Sequence, residues 1–293
     1  MDSAPSVRRS LTKAAVSPPE RLDALLALLA SGDIEWAPVV EDLHPLVVPI
    51  AREFSGSILG FLRWPTAPDS MPLPLVRTSG TQLERIARST DEFLHRELAT
   101  RDVRGEPLDG LLESCNRASP LYEPGTVRQS GLPLNAYLLT QVGVSWSFFE
   151  ELVEAHLERG DLNAALITAE RACQNPESWG RPSAFRAMLL HRLGKYAEAR
   201  DCARAALHEP LWTFGHPIEP IGKMAGWSDI GAAVDHYRRL AEDPERLPLD
   251  RAAHRLDLAC LEGGFGSSLR ADIAELYLKG GYPEIAQWIH PRA

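Results

Sequence analysis

Three places in the sequence gather residue types that could do chemistry, and none of them completes a catalytic set. Glu92-x-x-His95 places a carboxylate and an imidazole on one helical face, which is one arm of a carboxylate di-iron site. Such a site needs a second arm and further glutamates, so the pair reads as a solvated helix face. Gly143-Val144-Ser145-Trp146-Ser147 lacks the second glycine of a nucleophile elbow. Gly263-Gly264-Phe265-Gly266 follows a helical pattern and lacks the lysine of a phosphate-binding loop, so it reads as a turn. None of the nine histidines forms an H-x-x-x-H pair. Cys115, Cys173, Cys202 and Cys260 are widely spaced, without a C-x-x-C, and read as reduced, buried, small apolar side chains. We therefore expect no catalytic residue, no metal and no cofactor: a binding protein, not an enzyme.

Composition narrows the partner. Hydrophobic residues make up 44% and charged residues 24%, which suits an ordinary globular protein. A net charge of −9 disfavours general binding to nucleic acid, whose phosphates need a basic surface. The most apolar run, Leu22 to Ala30, is short and carries Asp23, well below the roughly 18 residues of a membrane span. Between Ser3 and Pro19 there is no acidic residue, while Arg8, Arg9 and Lys13 sit among serines and threonine. That pattern fits either a disordered tail or an organelle transit segment.

The elements expected to carry any site are helices. Leu22, Leu25, Leu26 and Leu29 share a helical face; a helix interrupted at Pro49 and Gly56-Ser57 is expected over 44–62, and another over 79–98 on the spacing of Leu83, Ile86, Phe93, Leu94 and Leu98. Pro65, Pro68, Pro72 and Pro74 make 64–74 an extended connector. The expected organisation is a tail over 1–19, an N-terminal helical region over 20–135, and a helical repeat domain over 136–293.

The repeat rests on self-similarity at a shift of 34 residues: Gly160 with Gly194, Ala165 with Ala199, Ala169 with Ala203, Ala172 with Ala206, and Pro176 with Pro210. Each pair has a mechanical reason. The glycine turns the chain back after a first helix, the alanines let a second helix approach its neighbours closely, and the proline stops it. This pattern resembles the tetratricopeptide repeat family, whose period is 34 residues. The resemblance implies an all-α fold of stacked antiparallel helix pairs, a right-handed α-solenoid with irregular capping helices. More faintly, Leu121-Tyr122-Glu123-Pro124-Gly125, Ser130-Gly131-Leu132-Pro133-Leu134 and Gly180-Arg181-Pro182 resemble segments of little-characterised chloroplast TPR-like proteins of plants and algae. That resemblance implies a soluble chloroplast protein of the stroma or thylakoid surface, and otherwise a cytoplasmic one, with an assembly or complex-associated role in photosynthesis.

In such a stack the first helix of each pair lines the concave surface. Glu150, Glu151, Glu154 and Glu158 then form an acidic wall beside Phe185, Met188, His191 and Arg192. This face suits a protein partner with a basic, partly apolar segment. The expected function is a protein–protein interaction scaffold or assembly factor, either free or as a stable soluble subunit of a larger chloroplast complex. The alternative is a helical enzyme or small-ligand binder with its site in the N-terminal half.

Overall fold

The computed structural model describes residues 3–30, 32, 34–36, 42–65, 72–143, 145–174 and 179–290. These divide into two compact units: one of Met1–Val39, Leu46–Arg77 and Arg85–Ser145, the other of Val40–Pro45, Thr78–Glu84 and Trp146–Ala293.

The first unit overturns the all-α expectation. It carries most of a five-stranded sheet whose strands follow chain order: β1 (Ile34–Trp36), β2 (Val47–Glu53), β3 (Ile58–Leu62), β4 (Leu75–Ser79) and β5 (Gln82–Ala87). The pairs β1–β2, β2–β3 and β3–β4 are antiparallel. The residues read as helix interruptions are strand features. Pro49 marks a register shift against β3, where a residue without an N–H is tolerated, and Gly56, at φ 86°, makes the β2–β3 turn. Gly60 has no alternative: a Cβ there would lie 2.7 Å from the carbonyl oxygen of Val48. All five residues of β3 are buried, and a strand covered on both faces shows no period-2 alternation.

The first helix packs on β1 and β2 of this sheet. Residues 3–13, expected as tail, form α1 (Ser3–Lys13) and bury Val7 and Leu11. Next come α2 (Leu22–Leu29), α3 (Thr90–Arg104), α4 (Asp109–Asn116), and the single turns α5 (Thr126–Gln129) and α6 (Leu134–Tyr137). The helix expected from residue 79 begins only at Thr90, because Ser89 caps it by accepting from the Glu92 N–H at 3.1 Å. Arg21, buried at the start of α2, donates to the Cys115 carbonyl at 2.7 Å, to Asp91 at 2.6 Å and to the Ser119 hydroxyl at 2.6 Å. One guanidinium thus ties α2, α3 and the end of α4 together. Of the proline-rich connector, 66–71 lie outside the described residues; Pro74 returns beside β3, its carbonyl accepting from the Leu62 N–H at 2.9 Å.

The second unit carries helix hairpins: α7 (Trp146–Glu158) with α8 (Leu162–Cys173), α9 (Arg181–Arg192) with α10 (Tyr196–Ala206), then α11 (Ile218–Ala225), α12 (Ile230–Glu242), α13 (Pro248–Glu262), α14 (Ser267–Lys279) and α15 (Pro283–Ile289). Gly160 and Gly194 stand at φ 73° and 74° in the α7–α8 and α9–α10 turns, the left-handed conformation a glycine supplies without steric cost. Ala165, Ala169, Ala172, Ala199, Ala203 and Ala206 are all buried. Val153, Ala165, Ala169 and Leu189 share one apolar cluster, with Leu157 and Phe185 against it. Pro176, the stop expected for α8, lies outside the described residues, and Pro210 directly precedes a 3₁₀ turn at Leu211–Thr213.

Candidate functional site

The chemistry-bearing residues singled out in the sequence are mostly engaged with one another. Glu92 is buried, not solvated: Arg88 donates to it at 2.5 Å. A Cβ at Gly143 would strike both side chains, at 2.6 Å from Arg88 and 2.8 Å from Glu92, so this glycine serves close approach and not a nucleophile turn. His95 Nε2 meets the Tyr137 hydroxyl at 2.9 Å. A second Glu-x-x-His, Glu41 to His44, has its glutamate outside the described residues. His44 is buried with its ring 4.5 Å from that of Trp212 and 4.7 Å from that of Phe265. Burial, aided by Arg270, pushes its pKa down to about 3, which keeps the imidazole neutral. Gly263, at φ 91°, ends α13, as a turn glycine should. Among the described residues no group of three His, Cys, Asp or Glu side chains could hold a metal ion.

The expected acidic wall is divided by the fold. Glu150 takes a two-pronged ion pair from buried Arg181, at 2.7 and 2.9 Å, and meets His216 Nε2 at 3.0 Å. Arg181 also reaches Glu84 at 3.1 Å. Burial alone would raise the Glu150 pKa, but the hydrogen bonds and charges of Arg181 and His216 carry it down to about 2. Such a carboxylate holds the unit together and is not offered to a partner. Glu154 pairs with Arg192 at 3.0 Å, both ends about half exposed. Glu151 and Glu158 are exposed on α7. Phe185 belongs to the apolar cluster and stacks on His216, with 6.1 Å between ring centroids.

Met188, His191 and Arg192 do come together, in a groove of about 620 Å³ between α9, α10 and α11. Tyr196 and Arg200 line it from α10, and Pro220, Lys223 and Met224 from α11. The helical spacing explains the convergence: Met188, His191 and Arg192 stand at i, i+3 and i+4, as do Pro220, Lys223 and Met224, so each set shares one face. That matching pattern in α11 is the signal by which the sequence could have yielded the rest of the groove. The charge differs from the expectation: the lining holds Arg192, Arg200 and Lys223 and no carboxylate.

The hairpin tip between β4 and β5 carries no motif that marks it in the sequence, yet its side chains are engaged. Gln82 accepts from the Gly215 N–H at 2.9 Å and its amide donates to the Cys260 sulfur at 3.3 Å, while the Cys260 thiol donates to the Thr81 hydroxyl at 3.3 Å. Burial pushes the Cys260 pKa up to about 12, so it stays a neutral thiol.

Fold and site together define a protein with an antiparallel sheet, helix hairpins, and a surface groove between α9, α10 and α11. Residues 11–141 match the PAB N-terminal family model and residues 147–228 the PAB middle domain model. The chain is 34% identical, over 94% of its length and 88% of the relative's, to Protein IN CHLOROPLAST ATPASE BIOGENESIS, chloroplastic, of Arabidopsis thaliana. The chain belongs to this PAB family, and the tetratricopeptide assignment gives way to it. The relative is chloroplastic, the location expected from the fainter resemblance. No helix among the described residues is long and apolar enough to cross a membrane. No solved structure matches the chain significantly.

Proposed function

We propose that this protein is an assembly factor for the chloroplast ATPase, working in the stroma or at the thylakoid surface by binding protein and not by catalysis. The observation that carries the reading is similarity across both units to a relative named for ATPase biogenesis. The internal pairing of Glu92, Glu150, Arg181 and His95 supports it, because these polar groups serve the fold. Expression of the chain in Arabidopsis thaliana lacking the relative should restore assembled chloroplast ATPase, measured by native electrophoresis and immunoblotting. If the chain accumulates in the chloroplast and assembled ATPase stays at the level of the mutant, the reading is wrong.

A further inference from the structure

We propose that the groove between α9, α10 and α11 is a docking site for an acidic, partly apolar segment of a protein partner. The inference rests on the assembly reading and gives its partner a chemistry.

The floor is soft and apolar. Met188 and Met224 are half-buried, and methionine, unbranched and polarizable, adapts to varied apolar side chains. Tyr196 is 65% exposed and its ring meets that of His191 edge-on at 5.2 Å, offering an aromatic face at the groove wall. Pro220 adds a rigid exposed edge on α11.

The rim selects the charge. Arg200 is exposed and makes no ion pair among the described residues. Arg192 and Lys223 hold Glu154 at 3.0 Å and Glu219 at 2.7 Å, each pair about half exposed at both ends. Solvated pairs of this kind contribute little to stability, so they give way readily to a carboxylate that also fills the groove. With Arg192 and Lys223 held by Glu154 and Glu219, Arg200 leaves the groove's surroundings with an excess of positive charge, on a chain of net charge −9. Such an excess speeds the approach of an acidic segment and turns away a basic one. Arginine's planar fork donates two hydrogen bonds to a carboxylate, which fixes the segment's register, and the segment's apolar side chains reach the methionines.

The test places a photocrosslinker in the groove by Tyr196→p-benzoylphenylalanine in the full chain, expressed in chloroplasts, with the crosslinked peptides sequenced by mass spectrometry. A control crosslinker replaces Leu247, which is exposed and outside the groove. Crosslinks from the groove should fall on segments rich in Asp or Glu interleaved with apolar residues. Their yield should drop about tenfold when Arg200→Glu and Lys223→Glu are combined, and fall as salt is raised, because rim charges act through a screened field. Arg200→Lys, which keeps the charge and loses the planar fork, should give a yield between those of the unaltered chain and the charge reversal, and the melting temperature should stay within a few degrees in every variant. Crosslinks to neutral or basic segments, to a second copy of this chain, or undiminished by charge reversal would overturn the proposal. If the acidic segment belongs to a protein outside the ATPase, the assembly reading fails and the groove stands. If the doubly reversed variant restores ATPase as well as the unaltered chain, the groove fails and the assembly reading stands.

Discussion

Charge at single residues does two opposite jobs in the second unit. Glu150 is ionised in the interior because Arg181 and His216 surround it; remove the partner and a buried charge is left uncompensated, which commonly costs about 3–5 kcal/mol. Asp257 is the reverse case. It is buried on α13, and the Leu211 N–H, opening the 3₁₀ turn, donates to it at 2.7 Å. Burial raises its pKa to about 7, against the opposing pull of that hydrogen bond. The folded state therefore holds a proton between about pH 4 and 7 that the unfolded chain has released, so this group's contribution to stability declines as pH rises through that window. Asp257→Asn keeps an oxygen for Leu211 and removes the charge. The variant should match the unaltered protein at pH 4 and be more stable, by up to a few kcal/mol, at pH 8, measured by urea denaturation at each pH. Equal stability at pH 8 would show that Asp257 does not titrate in this range.

At the scale of elements, the helix hairpins were legible and the sheet was not. Gly160, Gly194 and the alanine seam announce α7–α10 because each position has one dominant constraint: a positive φ or a missing side chain. The strands had competing signals. Leu83, Ile86 and Ala87 fit a helical face as well as they fit β5, and Leu94 and Leu98 extended that face into a true helix. The turn that separates them is Ser89, whose side chain serves as a cap. Short apolar runs give no length to tell a strand from a helix. The groove is half-legible for a related reason: the spacing of α9 marks a shared face, while the cations Arg200 and Lys223 join it only once α10 and α11 are packed beside it. The alanine seam has a measurable consequence. Ala199 is 1% exposed where α10 meets α9, and Ala199→Leu should destabilise the protein by about 1–3 kcal/mol through overpacking. A loss below about 0.5 kcal/mol in urea denaturation would mean that α10 can shift freely.

For the whole molecule, chain order and compact units do not coincide. The second unit takes in Val40–Pro45 and Thr78–Glu84 from early in the sequence. His44 stands against Trp212 and Phe265, the Leu43 carbonyl accepts from Arg270, and Gln82 and Glu84 meet Gly215 and Arg181. No local pattern could disclose this, because each contact joins residues more than 90 positions apart. A cut at the family-model boundary, near residue 146, therefore does not release an intact unit. A fragment of residues 146–293 would retain every helix from α7 to α15. It would leave the Trp212 and Phe265 rings without the His44 ring, and Arg181 with one of its two carboxylates. Buried apolar surface would open to water at about 25 cal/mol per Å², and the guanidinium would lose a buried partner. We expect the fragment to keep its helical far-ultraviolet dichroism, to bind the dye ANS, and to melt at lower temperature with a broader transition than the full chain, as loosely packed states do. A partner effect separates this from simple loss of length: in the full chain, His44→Ala combined with Glu84→Ala should move the melt in the same direction by a smaller amount. A fragment that melts as sharply and as high as the full chain would show that the helices of the second unit need neither early segment.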